Sequence, residues 1–448
     1  MSKVRPISGF PEWLPSERIV EQHFLDVIRE TFELHGFASI QTRAVEPIER
    51  LSSQGEDTDK EIYAIGRLAG GAAGVDGMAD SSRDPKLGLH FDLTIPFARY
   101  VLENAGKLTF PFRRYQIQPV WRGERPQEGR YREFLQCDID IVDVGELAPH
   151  YEAELPLVIA DAFSKLPIGP FRIQVNNRKI PEGFYLGMGL TDITTMLRIV
   201  DKLDKIGPDR VGELMVAAGA TAEQAKAALA LAEINAPDDS FVERVHALGV
   251  EHETLTQGLA ELAAVIRVGA EQASGLMVAD LKVARGLDYY TGTVYETQLV
   301  GLESYGSICS GGRYDALASD GRTTYPGVGI SIGLSRLLAK IMPTLSASRS
   351  TPSCVLVALA EETDRAQGMR VAASLRQRGI PCEVAPLAAK FGKQIKFAQR
   401  RGIPFVWFPA TGDQSSDSVK DIRSGAQAVA DAESWMPPTD DLRPRVLA

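Results

Sequence analysis

Cysteine is scarce in this chain. Four in 448 residues, at Cys137, Cys309, Cys354 and Cys382, form no Cys-x-x-Cys pair. That excludes a disulfide scaffold and a thiolate zinc cluster, and it suits reduced thiols in a cytoplasmic protein. The six histidines show no His-Glu-x-x-His or comparable spacing, so zinc has no ligand pattern to occupy. No apolar run approaches the ~18 residues of a membrane span. Met1 to Phe10 lacks the apolar core and cleavage site of a leader. The expectation is a soluble, cytoplasmic protein with no membrane partner. An excess of basic charge is missing as well: the net charge is -10, which argues against indiscriminate nucleic-acid binding yet leaves room for a local basic surface. The glycine cluster Gly70, Gly71 and Gly74 follows neither Gly-x-Gly-x-x-Gly nor a P-loop with its Lys-Ser/Thr.

What remains is an ordinary globular composition, 44% hydrophobic and 24% charged, long enough for two or three domains. Pro15-Ser16-Glu17 opens a helix whose apolar residues recur to Phe32, with Gly36 as its stop and a strand from Phe37 to Ile40. Residues 52 to 88 read as a long polar loop. From 183 to 279 the texture is helical and alanine-rich, a module of about a hundred residues with no chemical constellation. The Ser-, Thr- and Pro-rich stretch Pro343 to Pro352 reads as a linker. After it, strands at 355–359, 382–385 and 405–408 alternate with helices at 363–377 and 391–401, the signature of a small α/β domain with a largely parallel sheet.

Six stretches carry chemistry. Arg285-Gly-Leu-Asp-Tyr-Tyr-Thr-Gly-Thr-Val-Tyr-Glu296 crowds charges, tyrosines and glycines together, which suits the wall of a polar pocket better than a core strand. Arg113 to Arg122 and Tyr131 to Val144 read as an antiparallel pair around a charged tip. With a period of two, Gln116, Gln118 and Arg122 share a face, as do Phe134, Gln136, Asp138 and Asp140. Such a face meets water or a polar ligand, because unpaired buried charge is costly. Asp92 and Thr94 precede Pro96 at a helix start, where Asp92 serves either as a cap or as a carboxylate for a ligand ammonium. Ser307 to Asp315 and Gly327 to Leu338 bring backbone close to a ligand, the second running from a glycine-rich strand into a helix. A cation at Arg336, early in that helix, gains nothing from the helix dipole and calls for an anionic or aromatic partner. Lys393, Lys396 and Arg400 form one basic helical face, either solvated or in contact with nucleic acid.

Together these stretches resemble a class II aminoacyl-tRNA synthetase, and within it the histidyl-tRNA synthetase family. Residues 121–134, Trp-Arg-Gly-Glu-Arg-Pro-Gln-Glu-Gly-Arg-Tyr-Arg-Glu-Phe, look like the class's second motif and Gly327 to Leu337 like its third. Arg285-Gly-Leu-Asp-Tyr-Tyr290 and Ser310-Gly-Gly-Arg-Tyr-Asp315 are similar to the family's two histidine-recognition signatures, and Asp92-Leu93-Thr94 to its ammonium-binding segment. The resemblance implies an α+β catalytic core, an antiparallel sheet flanked by helices, over 1–180 and 280–345. It further implies a helical insertion over 181–279 and an α/β anticodon-binding domain over 350–448. The activity implied is histidine–tRNA ligation, through a histidyl-adenylate made from ATP with Mg2+. Residue by residue, Asp92, Leu93, Thr94 and Gln136 would hold the substrate's amino end, with Asp140, Tyr289 and Tyr290 around the imidazole. Arg122 and Arg285 would meet the α-phosphate and act catalytically. Glu124, Arg130 and Arg336 would complete the ATP site, Glu124 near the adenine and the metal. Arg125, Gln127, Lys393, Lys396 and Arg400 would contact tRNA(His). No dedicated protein cage for a metal is expected, and the class assembles as homodimers. The chain departs from the family's first motif at Gln41-Thr42-Arg43-Ala44, where a proline is usual. A rival reading is the family's non-catalytic regulatory paralogue, a partner of ATP phosphoribosyltransferase. Such paralogues typically lack the terminal domain and alter the arginine signature, whereas this chain has both Arg285 and residues 350–448.

Overall fold

The computed structural model describes residues 4–52, 61–66, 86–284, 289–411 and 415–448. The chain forms two compact units, Met1–Pro11 with Val27–Lys340, and Glu12–Asp26 with Ile341–Ala448. Most of the polar segment 52–88 lies outside the described residues. Its ends supply the short strands 64–65 and 87–89, which build a three-stranded sheet with 45–47.

The first unit is built on a nine-stranded sheet. In chain order its strands are β1 (Ala38–Ser39), β2 (Phe112–Trp121), β3 (Glu133–Val142), β4 (Phe171–Asn177), β5 (Asn235–Ala236), β6 (Met277–Asp280), β7 (Thr293–Leu299), β8 (Cys309–Tyr314) and β9 (Gly327–Gly333). Their spatial order is β1-β2-β3-β9-β8-β7-β4-β6-β5, antiparallel except for the β1–β2 and β4–β6 pairs. The expected hairpin is present as β2 and β3, ten residues each, paired from Phe112↔Val142 to Trp121↔Glu133. Alternation then divides the sheet. Cys137, Ile139 and Ile141 are buried on one face, while Gln136, Asp138 and Asp140 turn to the other.

Helices cover the sheet. Helix α1 (His150–Ser164) packs against β9, and α2 (Glu253–Gln272) against α1, β4 and β6. Buried Leu255, Leu259, Leu262 and Ile266 line α2 at helical spacing, the apolar stripe that such packing requires. Its position makes α2 part of the sheet's covering layer, although in sequence it continues the alanine-rich stretch. The remaining helices of that stretch are shorter, and one begins with a reciprocal capping box between Thr221 and Gln224. Arg313 on β8 pairs with Glu152 of α1 at 2.8 Å, and the Tyr295 hydroxyl donates to the Glu152 carbonyl at 2.6 Å. These polar ties lock α1 in register with the strands beneath it.

The second unit holds a five-stranded sheet of β10 (Val355–Val357), β11 (Cys382–Val384), β12 (Phe405–Phe408), β13 (Ser418–Asp421) and β14 (Gln427–Val429) in the order β11-β10-β12-β13-β14. The first three strands are parallel and the last two antiparallel. The stretch expected as a linker is ordered. Ser346–Ala347 pairs with Val446–Leu447, and buried Arg349 donates to the carbonyls of Thr351, Pro352, Asp441 and Leu442. A fork of guanidinium donors closing four carbonyls is a clamp, and the stretch follows directly on the change of unit after Lys340.

Candidate active site

The polar face of β2 and β3 is the floor of the site, and it is not solvated. Arg114, Gln116, Gln118, Gln136, Asp138 and Asp140 are all buried. Arg114 Nη2 lies 2.5 Å from Asp140 Oδ2, its guanidinium sits 4.2 Å from the Phe97 ring centroid, and its Nη1 donates to Gln116 Oε1 at 3.3 Å. Gln116 Nε2 donates to Gln118 Oε1 and, at 2.8 Å, to Thr42 Oγ1. Gln118 closes the row by accepting from Thr42 N and donating to Thr42 O, both at 3.0 Å. From Asp140 the row continues to Tyr314, whose hydroxyl donates to Asp140 Oδ1 at 2.7 Å. On the neighbouring strand Gly329 faces Asp140 in register, and a Cβ there would overlap the carboxylate. Glycine is required at that position for Asp140 to lie flat on the sheet.

Asp92 stands beside this row at the start of helix α3 (Thr94–Asn104), where its Oδ1 accepts from Ile95 N at 3.3 Å. It is therefore a cap as well as a buried carboxylate. Leu93 is wholly buried. Burial pushes Asp92 and Asp140 up to about 7 and Asp138 up to about 6, with Arg114 and Arg122 pulling the other way. Three interior carboxylates against one fully buried arginine make a site short of positive charge. Tyr289 and Tyr290 stack at 4.6 Å beside it, with Tyr314 edge-on to Tyr289 at 6.3 Å.

The other end of the hairpin is built of cations. Arg122 Nε donates to the Phe91 carbonyl at 2.9 Å and the guanidinium lies 5.0 Å from the Phe134 ring. Glu124 stands between Arg122, at 3.8 Å, and Arg130, at 3.6 Å. Arg336, in helix α4 (Leu334–Ile341), finds the aromatic partner its position called for. It lies 4.8 Å over Tyr305, donates to the Tyr305 carbonyl, and accepts the Tyr305 hydroxyl on its own carbonyl at 2.7 Å. Burial lowers the pKa of Arg336, and its Nε is buried without a hydrogen-bond partner among the described residues. Gly129, with φ +69°, leaves room for the Tyr305 hydroxyl, which a Cβ would overlap. Arg125 and Gln127 are exposed at the hairpin tip.

The structure thus brings Thr94, Asp138, Asp140, Tyr290 and Tyr314 to the lining of one small cavity, with Tyr289 against Tyr290 and Gln136 bonded to Ser331 of that lining, and it places Arg122, Glu124 and Arg130 together at the tip end of the hairpin. Arg285 lies outside the described residues. Lys393, Lys396 and Arg400 are exposed on one face of helix α5 (Phe391–Arg401) in the second unit. Two residues escaped sequence reasoning. Arg114 shares the parity of Gln116 and Gln118, so the period of two already contained it. Tyr305 sits in a short 3-10 turn, Glu303–Tyr305, with no pattern to announce it. A larger groove between helices Pro208–Ala217 and Ala222–Ala232 has its charged residues Asp209, Glu213 and Lys226 exposed, with no converging polar groups. Among the described residues no group of three His, Cys, Asp or Glu could cage a metal ion.

A family model for histidyl-tRNA synthetase matches residues 9–337. The histidine–tRNA ligases of Micrococcus luteus and Cutibacterium acnes are 59% and 57% identical, each covering 100% of this chain and 99% of its own length. A solved histidyl-tRNA synthetase from a Nostoc species superposes with a TM-score of 0.83 at 34% identity, covering 97% of this chain and 98% of that one. Fold and site together define a class II aminoacyl-tRNA synthetase. Within that class the chain belongs to the histidyl-tRNA synthetase family, and its activity is histidine–tRNA ligation. The regulatory-paralogue reading is not favoured, since relatives at 50–59% identity are named as ligases.

Proposed function

We propose that the buried carboxylates and the cationic shelf divide the first step of this activity between them, the former holding L-histidine and the latter ATP. The observation that carries this assignment is the charge imbalance: Asp92, Asp138 and Asp140 share the interior with Arg114 as its one fully buried arginine, while Arg122 and Arg130 stand at the other end of the hairpin and Arg336 on a helix of its own. Asp92, Thr94, the Leu93 backbone and Gln136 receive the ammonium, and Asp140 with Tyr289 and Tyr290 surrounds the imidazole. The histidine carboxylate then attacks the α-phosphorus in line as diphosphate leaves. Negative charge builds on the equatorial oxygens, where Arg122 and Arg285 stabilise it as fixed charges. Glu124, Arg130 and Arg336 position the nucleotide. Glu124 would face Mg2+ carried on the ATP phosphates, and the ion would supply charge neutralisation there. In the second step the adenylate passes histidine to the 3' end of tRNA(His), releasing AMP.

The remaining assignments extend the same reading. Residues 1–180 and 280–345 act as the catalytic core, joined by β5, β6 and α2 of the 181–279 segment, while the shorter helices of that segment act as the insertion and 350–448 as the anticodon-binding domain. Arg125 and Gln127 at the hairpin tip, and Lys393, Lys396 and Arg400 on α5, face tRNA. The enzyme works as a cytoplasmic homodimer; among the described residues no helix is long and apolar enough to cross a membrane. The segment that departs from the usual first motif is supported by charge instead of proline. Arg43 lies 3.1 Å from Glu46, and Glu46 is buried in an ion pair with Arg99 at 2.8 Å. Histidine-dependent exchange of pyrophosphate into ATP tests the reading. Exchange with histidine well above that with the other amino acids is expected, and equal exchange with all of them defeats it.

A further inference from the structure

The ladder between β2 and β3 ends at Trp121↔Glu133, and beyond it the two legs of the hairpin run out to a tip closed by the Gln127↔Arg130 bridge. Backbone N–H groups that leave a ladder need other acceptors. On the outgoing leg Arg122 N donates to Arg132 O at 2.9 Å, and Gly123 N donates to Glu61 O at 2.7 Å. On the return leg Arg132 N and Glu133 N both donate to Gly9 O, at 2.7 and 3.1 Å. One carbonyl from the start of the chain thus takes two amides at the root of the tip.

Gly9 is shaped for that contact. Its φ is +87°, and a Cβ there would stand 2.9 Å from Arg132 Cγ and 3.0 Å from Pro126 Cγ. Backbone conformation and close approach both call for glycine. A turn closed by Phe10 N donating to Ile7 O at 3.2 Å presents it, and the Phe10 ring meets Tyr63 edge-on at 6.4 Å. Arg132 passes the contact on: its carbonyl holds Arg122 N, and its Nε donates to the Glu124 carbonyl at 3.2 Å. We propose that residues 7–10 form a strap, with Gly9 and Arg132 as positioning residues for the nucleotide. Gly9 seats Arg132, and Arg132 fixes the backbone from which Arg122 and Glu124 reach ATP. The proposal rests on the reading of the tip as the ATP shelf. The histidine cavity is lined by neither Gly9 nor Arg132, so the strap acts on one substrate and spares the other.

Pyrophosphate exchange on the full chain tests this with Gly9→Ala, Arg132→Ala and the double variant. Each single change raises the KM for ATP about tenfold, the scale of one or two lost hydrogen bonds, while the KM for histidine stays within about twofold. Because both residues act along one path, the double variant is no worse than the worse single variant. Deleting residues 1–9, which removes the Gly9 carbonyl and leaves the hairpin sequence intact, gives the same rise in the KM for ATP. In ligand-free G9A, amide exchange quickens over residues 122–133 and is unchanged over β9, a local signature that general destabilisation does not give. An unchanged KM for ATP in both G9A and the deletion overturns the proposal. So does a histidine KM that rises in step, or single effects that multiply in the double variant. Arg130→Ala reports on the shelf itself. An unchanged ATP KM there removes the nucleotide reading, whereas a raised one beside an unchanged G9A strikes the strap alone.

Discussion

Replacing Arg114 with methionine removes the only charge partner of Asp140 among the described residues and the cation stacked on Phe97. Simple pair-breaking in an interior costs about 3–5 kcal/mol, but the structure predicts something less direct. Burial already places the Asp140 carboxyl at about 7, far above the ordinary 3.8, so the variant can escape its unpaired charge by taking up a proton. The sign follows from linkage. The cost of this raised group is fully present above its folded pKa and absent below the unfolded one. In the wild type its contribution to stability therefore falls from about pH 4 to 7 and is flat beyond. Arg114 lowers the Asp140 pKa, so R114M moves it higher still and its contribution keeps falling past pH 7. Between the two proteins the difference should be constant below pH 7, at roughly 1–2 kcal/mol for the lost cation–π contact. Above pH 7 it should grow by up to about 1.4 kcal/mol per pH unit. Hydrogen exchange of peptides covering β3 and β9, corrected for intrinsic rates, reads the opening free energy of this part of the sheet directly. Adding Asp140→Asn to R114M should flatten the slope. A deficit independent of pH from 6 to 9, or a double variant as steep as R114M, refutes the reasoning.

Asp92→Asn should stabilise the ligand-free protein at pH 8, by up to ~4 kcal/mol if the full shift is recovered. The gain should shrink as pH falls below 7 and vanish near pH 4, while histidine activation drops about 100-fold; lower stability at pH 8 in a pH-stability series contradicts it. Tyr305→Ala should raise the KM for ATP about tenfold with that for histidine unchanged, because Arg336 loses its stacking surface and the hydroxyl that donates to its carbonyl; steady-state exchange kinetics decide. Arg285→Ala should leave ATP binding largely intact and slow single-turnover adenylate formation by at least ~100-fold, the scale of one charge-stabilising group. Charge reversal at Lys393 and Lys396 should weaken tRNA binding and spare pyrophosphate exchange; equal binding in a filter assay would return that face to plain solvation.

Period and punctuation made much of this legible before any coordinates. Alternation alone located the polar face of β2 and β3, and the break from glycine strand to helix at Gly333–Leu334 placed Arg336 correctly. What alternation could not show was which side of solvation that face falls on. Gln116 and Gln118 look equally suited to water, and it is Thr42, more than seventy residues earlier, that accepts a hydrogen bond from each. Arg349 illustrates the same blindness. A lone arginine among serines, threonines and prolines carries no sign that four carbonyls converge on it from distant parts of the chain. Tyr305 was hidden because its meaning depends on Gly129 and Arg336, both remote in sequence. Local residue types announce elements; long-range acceptors announce nothing until the chain is folded.

The row from Thr42 through Gln118, Gln116 and Arg114 to Asp140 and Tyr314 has a consequence for anyone reshaping this enzyme to accept a different amino acid. Each member spends its donors or acceptors on the next, so the pocket cannot be redrawn one side chain at a time. A smaller or neutral residue at 140 strands Arg114, a changed 114 strands Gln116, and the fault runs back to Thr42. Libraries that vary positions 92, 138 and 290 should therefore stay folded more often than those that vary 140, and useful changes at 140 should arrive only with partners at 114 and 116.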